Sequence, residues 1–246
     1  MNLSIFQNQW MSAFLINFTI ISFAQRYPLL TTKGWIHSAI LGTILYACFG
    51  WKGWLAVSIY LLLGTLVTKL GFSYKKSLGI AEGRDGRRGP ENVWGSAATG
   101  TILALVYALF DYRWQYFIFI GFASSFSAKL ADTFGSEIGK RWGRKTFLIN
   151  NLRPVSPGTD GAISLEGTLA SFIGSLLMSL VMISLSFLDT FKSFGIVVCS
   201  GFLATIMESF FGALFQRRIG WMTNELVNFI QTSFAAIFAI YLALIL

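Results

Sequence analysis

Apolar residues in this chain come in long unbroken runs, interrupted by short polar segments. A helix needs about 20 mostly apolar residues to cross the hydrocarbon core of a bilayer. Eight stretches meet or approach that length: 5–24, 34–50, 53–71, 93–110, 114–134, 164–188, 194–215 and 226–246. None alternates apolar and polar positions in segments of about ten, as the strands of an outer-membrane barrel do. The pattern predicts an all-α fold, a polytopic transmembrane helix bundle of about eight spans (range six to eight). It forms a single transmembrane domain over 1–246, with motif-bearing loops at 72–92 and 135–163. The second and third spans are short and separated only by Trp51-Lys52-Gly53, which predicts a tight helical hairpin. The fifth is rich in Ser, Gly and Ala from Gly121 to Ala131. Small residues let helices approach closely, so this span is expected at the centre of the bundle.

Composition agrees. Of the 246 residues 54% are hydrophobic and only 12% charged, where a soluble domain carries about 25% charged residues. Mean hydropathy is +0.63. These figures exclude a soluble globular protein, a disordered chain and a coiled coil. Two cysteines exclude a disulfide scaffold and a zinc ribbon; Cys48 and Cys199 lie in apolar runs and are expected in the core. No Lys or Arg precedes Arg26, so the first span lacks the basic leader of a cleaved signal peptide and is expected to be retained.

The placement of charge says more than its scarcity. The loops after spans one, three, five and seven, with their flanks, hold sixteen of the 19 Lys and Arg; the other side holds only Lys52, Arg113 and Lys192. The positive-inside rule then puts the odd loops in the cytoplasm or stroma and both termini opposite. Nine of the 11 acids share the basic side, with only Asp111 and Asp189 opposite. Acids contribute little to topology. Their excess on one face points to chemistry there.

Four clusters carry most of those acids. The first, Ala81 to Asn92, interleaves Gly83, Gly86 and Gly89 with Arg84, Arg87 and Arg88. Glycines let a backbone turn tightly around an anion, and arginines fork onto phosphate oxygens. A flexible topogenic loop explains this cluster equally well. The second, Ala131 to Gly139, places Asp132 and Ser136 on one helix face with Glu137 beside them. Two carboxylates at a span end are costly if unpaired in lipid, and oxygen ligands of this kind suit Mg²⁺. The third runs from Arg153 to Thr168. Pro157 and Gly158 set one turn, Asp160 and Gly161 another, and Ser164 to Gly167 leads into span six. Thr159 or Asp160 is expected to cap that helix. A glycine-rich turn opening a helix is also a natural phosphate site. The fourth joins Glu208, Ser209, Gly212 and Gln216 at the end of span seven to a stripe of Asn224, Asn228 and Gln231 entering span eight. Amides inside a span commonly hydrogen-bond neighbouring helices. A buried carboxylate such as Glu208 needs a partner or a metal. The chain has no Walker A string, no G-x-G-x-x-G and no paired His or Cys for zinc; its one histidine, His37, is expected at the interface.

Taken together these motifs resemble a known family. A-D-T-x-x-S-E-I-G at 131–139, P-G-T-D-G-A-I-S-x-x-G-T at 157–168, E-S-x-x-G-A-x-x-Q at 208–216 and T-N-E-x-V-N at 223–228 follow in order after R-x-G-R-R-G-P-E-N-V-W-G-S-A-A-T-G at 84–100. They are similar to the membrane family that contains phytyl-phosphate kinase and transmembrane protein nineteen, from about residue 35 to the end. One departure is Glu208, where many relatives carry Asp; the carboxylate is kept with a longer reach. The family is distantly similar to dolichol kinases and CDP-lipid synthases, which use CTP.

The resemblance implies a lipid-phosphate kinase, using CTP or a similar nucleoside triphosphate with Mg²⁺, that phosphorylates an isoprenyl or phytyl monophosphate for tocopherol synthesis. Asp132, Glu137, Asp160 and Glu208 would be catalytic, with Asp132, Asp160 and Glu208 holding the metal. Nucleotide and phosphate would be met by Arg84, Arg87, Arg88, Ser136, Pro157, Gly158, Thr159, Gly161, Ser164, Gly167, Ser209, Gln216, Asn224 and Asn228. No nucleic acid is expected as a partner. The setting would be a bacterial plasma or thylakoid membrane, as in a cyanobacterium, or the chloroplast envelope in a plant, with the active face cytoplasmic. Two alternatives use the same residues: a cytidylyltransferase that attaches CMP to a lipid phosphate, and a small-ion or anion transporter built on Glu208, Gln216, Asn228 and Gln231. Transporters often show repeated halves, and no convincing internal repeat is visible here.

Overall fold

The computed structural model describes residues 3–109, 112–216 and 219–246. Asp111, assigned above to the sparsely charged side, and Arg217 and Arg218, assigned to the other, lie outside these residues. The first helix, α1, spans Leu3–Ala24 and leads into α2, Thr32–Lys69. Thr31 caps α2, its hydroxyl accepting from the Gly34 N–H at 3.0 Å. Gly50 interrupts α2 with φ 66° and ψ −163°, a conformation open to glycine. In an unbroken helix Gly34 and Gly64 would stand about 45 Å apart. Both instead pack on Arg88, Gly34 against its carbonyl and Gly64 against its guanidinium. The two arms of α2, 32–49 and 51–69, therefore run antiparallel. The expected hairpin is present, turning at Gly50.

A short helix α3, Phe72–Ser77, precedes α4, Pro90–Leu109, and α5, Gln115–Trp142. Then come a small antiparallel ribbon of β1 (Phe147–Leu148) and β2 (Ala162–Ile163), and the helices α6 (Leu165–Ser184), α7 (Phe191–Phe211) and α8 (Asn224–Ile245). The ribbon pairs Phe147 with Ile163 and Leu148 with Ala162, a small departure from an all-helical reading. Counting the two arms of α2 separately, eight long helical segments make the bundle among the described residues.

Among the described residues, five helices are long and apolar enough to cross a membrane: α2, α4, α6, α7 with the turn that extends it, and α8. A shorter apolar helix covers Gln9–Ala24. The exception is α5, whose Ser124, Ser125, Ser127, Lys129 and Asp132 make it too polar. It is nevertheless the centre of the bundle, with every residue from Ile120 to Ala131 buried. Its neighbours approach over small residues: Gly174 of α6 lies against the Leu130 carbonyl, and Gly201 of α7 against Ser127. Ser127 also shares a 2.8 Å hydroxyl contact with Ser175. A polar helix is thereby kept out of lipid by apolar ones.

The two ends of the bundle differ. At one, Phe49, Phe119, Phe122 and Phe187 interlock, with ring centroids 4.8 Å apart for Phe49 and Phe122 and 4.9 Å for Phe122 and Phe187. At the other, the loops after α1, α2, α5 and α7 converge. The Arg88 N–H donates to the Leu29 carbonyl, and the Thr31 N–H donates to the Arg88 carbonyl. The Arg141 guanidinium lies 4.4 Å from the centre of the Tyr74 ring. Cys48 is half-buried, but Cys199 is exposed on the outer surface of α7, not in the core as its apolar run suggests. An apolar run marks contact with either lipid or protein, and here it marks lipid.

Candidate active site

A polar cavity of about 230 Å³ opens among the converging loops. Residues of all four clusters line it, the first through Glu82, Gly86, Arg88 and Asn92. Asp132 and Ser136 reach it from α5, Asp160 from the 143–164 segment and Glu208 from α7. Pro157, Gly158, Thr159, Gly161, Ser164, Gly167, Ser209, Gln216, Asn224 and Asn228 also line it.

Local backbone chemistry explains how the 157–164 part of the wall is set. Gly158 (φ 84°) and Gly161 (φ 72°) both adopt left-handed turns. The Ala162 N–H closes on the Thr159 carbonyl at 3.0 Å, and the Gly161 carbonyl accepts from the Ile149 N–H at 3.1 Å. Gly161 then abuts the Ala213 backbone, where no side chain would fit. The partner surface is a π-helical turn, Gly212–Gln216, at the end of α7; such turns widen a helix and are common at functional sites. This contact is what carries Asp160 to the end of α7 that bears Glu208. The cap of α6 is Ser164, whose hydroxyl accepts from the Gly167 N–H at 3.1 Å. Neither Thr159 nor Asp160 caps that helix, because the turn at 160–161 and the β2 strand come first.

The first cluster divides. Arg88 lines the cavity, but Arg84 and Arg87 do not. Arg84 pairs with Glu91 and donates to Asn92 at 2.9 Å, on the exposed surface. Positive φ at Arg84 (55°), Asp85 (53°) and Gly86 (77°) curls the loop left-handed. Lys69 holds this curl by donating to the Asp85 carbonyl at 2.5 Å, and Lys76 by donating to the Asp85 carboxylate at 2.8 Å. The Lys76 ammonium keeps the Asp85 carboxyl below the usual carboxylate range. The curl turns Arg84 and Arg87 outward and Arg88 inward. There the Arg88 guanidinium donates to the Tyr60 hydroxyl and lies 5.1 Å from its ring centre. Among the described residues no carboxylate pairs with it, so its charge is available to an anion.

Glu137 lies in the wall but is engaged. Fully buried Lys75 donates to it and to the Thr68 carbonyl, and Lys140 stands 3.5 Å from its other oxygen. The structure makes it an anchor that ties α3 and the second arm of α2 to α5. Gln231 is the helix-binding amide foreseen for such residues: it donates to the Ala128 carbonyl and to Thr205, both at 3.2 Å. His37 accepts from the Trp94 indole at 2.8 Å and does not line the cavity.

The charge pattern did not single out Lys129. It sits inside span five, 6% exposed, and donates to Asp132 at 2.5 Å and to Asn228 at 2.9 Å. A lysine three residues before an aspartate within a span was the available signal. Charges so deep in a membrane protein face one another or a polar cavity. Tyr60 and Lys75 carried no such sign; each looks like ordinary span-edge filler until the fold brings its partner from 28 or 62 residues away.

As to a metal, Asp132, Asp160 and Glu208 share one cavity, yet among the described residues no three acidic, histidine or cysteine side chains form a ready-made cation cage. Mg²⁺ commonly takes one or two carboxylates and fills its octahedron with water and substrate phosphates. The donor set fits an ion that enters together with a nucleotide.

A sequence profile described as an integral membrane protein, DUF92, matches residues 15–236. An uncharacterized membrane protein of Synechocystis, sll0875, is 44% identical over 94% of this chain and 90% of its own length. Protein VTE6, chloroplastic, of Arabidopsis thaliana is 37% identical over 94% of this chain and 71% of its own. An uncharacterized membrane protein of Methanocaldococcus jannaschii, MJ0933, is 35% identical, covering 82% and 81%. No solved structure matches.

Proposed function

The chain belongs to the integral membrane family DUF92, and from that premise and its cavity we propose that it is a lipid-phosphate kinase. The observation that carries this reading is the shared cavity. Asp132, Asp160 and Glu208, buried Lys129, an arginine that no carboxylate among the described residues pairs with, and a glycine-rich turn face one space at the end of a membrane bundle, with Glu82 and Glu137 also in its wall. An ion path would be expected to continue through the bundle, whereas here the far end is filled by interlocked phenylalanines.

The substrates are an isoprenyl monophosphate, with phytyl phosphate foremost, and CTP or a similar nucleoside triphosphate, meeting at the cytoplasmic face. An oxygen of the lipid phosphate attacks the γ-phosphorus as the bond from that phosphorus to the β–γ bridging oxygen breaks. The products are the lipid diphosphate and a nucleoside diphosphate. Such transfer depends on positioning and on offsetting charge. Arg88 and Lys129 supply positive charge to the phosphates. Asp132 and Asn228 fix Lys129 in place. Backbone N–H groups of the 157–161 turns add donors. Asp132, Asp160 and Glu208 would hold Mg²⁺, which would supply neutralisation of the nucleotide phosphates. An acceptor that is already a phosphate carries an anionic oxygen near neutral pH, so no general base is needed and none of the cavity residues is a histidine. The Arabidopsis relative is a chloroplast protein by its name, which suits a role in plastid isoprenoid metabolism such as tocopherol synthesis.

The purified protein in nanodiscs, given phytyl phosphate, CTP and Mg²⁺, is expected to form phytyl diphosphate and CDP. Release of pyrophosphate with a CDP-lipid product would instead make it a cytidylyltransferase. Absence of any product across C10 to C20 acceptors and all four nucleotides would remove the enzymatic reading.

A further inference from the structure

A second cavity, of about 220 Å³, lies between α1, both arms of α2 and α4. Its wall is apolar, with Ile21, Leu41, Val57, Leu61 and Ala97 contributing. Deep in the bundle it reaches Asn17, which accepts from the Trp54 indole at 2.8 Å and donates to the Ala39 carbonyl at 2.7 Å. At its other end it does not stop at a wall. Arg88, Asn92 and Ser96 line both this cavity and the polar one. Along the second arm of α2, Tyr60 at the arginine and Trp54 at the deep end are six residues apart, about 9 Å of helix.

We propose that this cavity holds the hydrocarbon chain of a phosphorylated lipid, whose phosphate sits at Arg88 and Asn92 where the two cavities join. The kinase assignment enters only as the reason such a lipid comes here; the binding itself stands on the joined cavities. One arrangement then serves two substrates from opposite sides, the chain from α1 and α2 and the nucleotide from the 157–164 turns. Charge complementarity selects the occupant. An apolar tail gains little by leaving lipid for an apolar slot, since both are hydrocarbon. The bias must come from the head group, and Arg88 is a guanidinium with no carboxylate partner among the described residues. A chain anchored by phosphate at that point has the apolar cavity directly beneath it. Tyr60 marks the junction, with its hydroxyl toward Arg88 and its ring against Phe126 at 5.6 Å.

The test uses a farnesyl-length alkyl monophosphate carrying a chain diazirine, photolysed with the full chain in nanodiscs, with adducts mapped by mass spectrometry. Adducts are expected on Ile21, Val57 and Leu61 and are competed by unlabelled phytyl phosphate. The same chain ending in an alcohol should label these positions at least tenfold less. Val57→Phe, which fills the slot, should cut these adducts at least tenfold and leave labelling of lipid-facing Leu66 and Ile102 unchanged. Should that variant not fold, Ile21→Phe fills the slot from the facing wall and is read the same way. Adducts confined to lipid-facing positions, or equal labelling by the alcohol probe as for a bilayer lipid, would overturn the proposal. Turnover of phytyl phosphate is measured in parallel. Turnover without cavity adducts rejects this site and keeps the kinase; cavity adducts without turnover keep the site and reject the kinase.

Discussion

A lysine at the depth of Lys129 would be costly among apolar helices if it stood alone. Its hydrogen bonds to Asp132 and Asn228 offset that cost and also fix where its ammonium faces the cavity. Lys129→Met should therefore leave Asp132 a half-buried carboxylate without its lysine, and a loss of at least a hundredfold in kcat is expected in the phytyl-phosphate assay. Asp132→Ala and Asp160→Ala are expected to abolish turnover while the protein still inserts, checked by membrane fractionation beside activity. Wild-type rates in either would take that residue out of the site. The pair formed by Lys75 and Glu137 is of another kind, a buried tie between elements. Removing one partner of a buried pair typically costs about 3–5 kcal/mol. Lys75→Met should thus lower the melting temperature sharply, and the double change Lys75→Met with Glu137→Gln should recover part of the loss.

At the scale of elements, glycines decide where the site residues arrive. Gly64 has room for nothing larger, since a side chain there would occupy the place of the Arg88 guanidinium. Gly64→Val is expected to keep α2 helical yet raise KM for the lipid phosphate at least tenfold by displacing Arg88. Gly50 is a different case. Nothing lies within 4 Å of a side chain added there, so the obstacle to Gly50→Ala is the backbone conformation itself, worth about 1–3 kcal/mol. Thermal unfolding of that variant measures the cost of the hairpin turn directly. Spans and turns could be read from the chain because they depend on runs and near neighbours: the hairpin after Phe49, the turns at 157–158 and 160–161, the central place of α5. The outward curl of Arg84 and Arg87 could not, because it depends on Lys69 of α2 and Lys76 of α3 gripping Asp85. Glu137 looked like a free acid for the same reason: its lysine lies 62 residues away. Local pattern identifies which residues are chemical, and packing decides which of them face the cavity.

The whole molecule sorts its groups into layers. Loops after α1, α2, α5 and α7 share one end, and interlocked phenylalanines close the other. Cysteines introduced one at a time at Arg87, Ser156 and Gly220 should react with an impermeant maleimide from one side of the membrane only, and one at Lys52 or Lys192 from the other. Mixed accessibility among the first three would break the topology on which the placement of the cavity depends.

The burial of α5 carries a consequence for how the protein is made. Apart from Lys75 of α3, which meets Glu137, several groups that satisfy its polar face come from helices translated after it: Ser175 on α6, Thr205 on α7, Asn228 and Gln231 on α8. When α5 leaves the ribosome, none of these exists. A nascent chain cut off shortly after Trp142 would hold a segment too polar to settle in lipid unaided. Biogenesis must then either shelter α5 in the insertion machinery or admit it late, once α6 to α8 have closed around it. The polar residues that α5 brings to the cavity are the same ones that make this central helix hard to settle in lipid early.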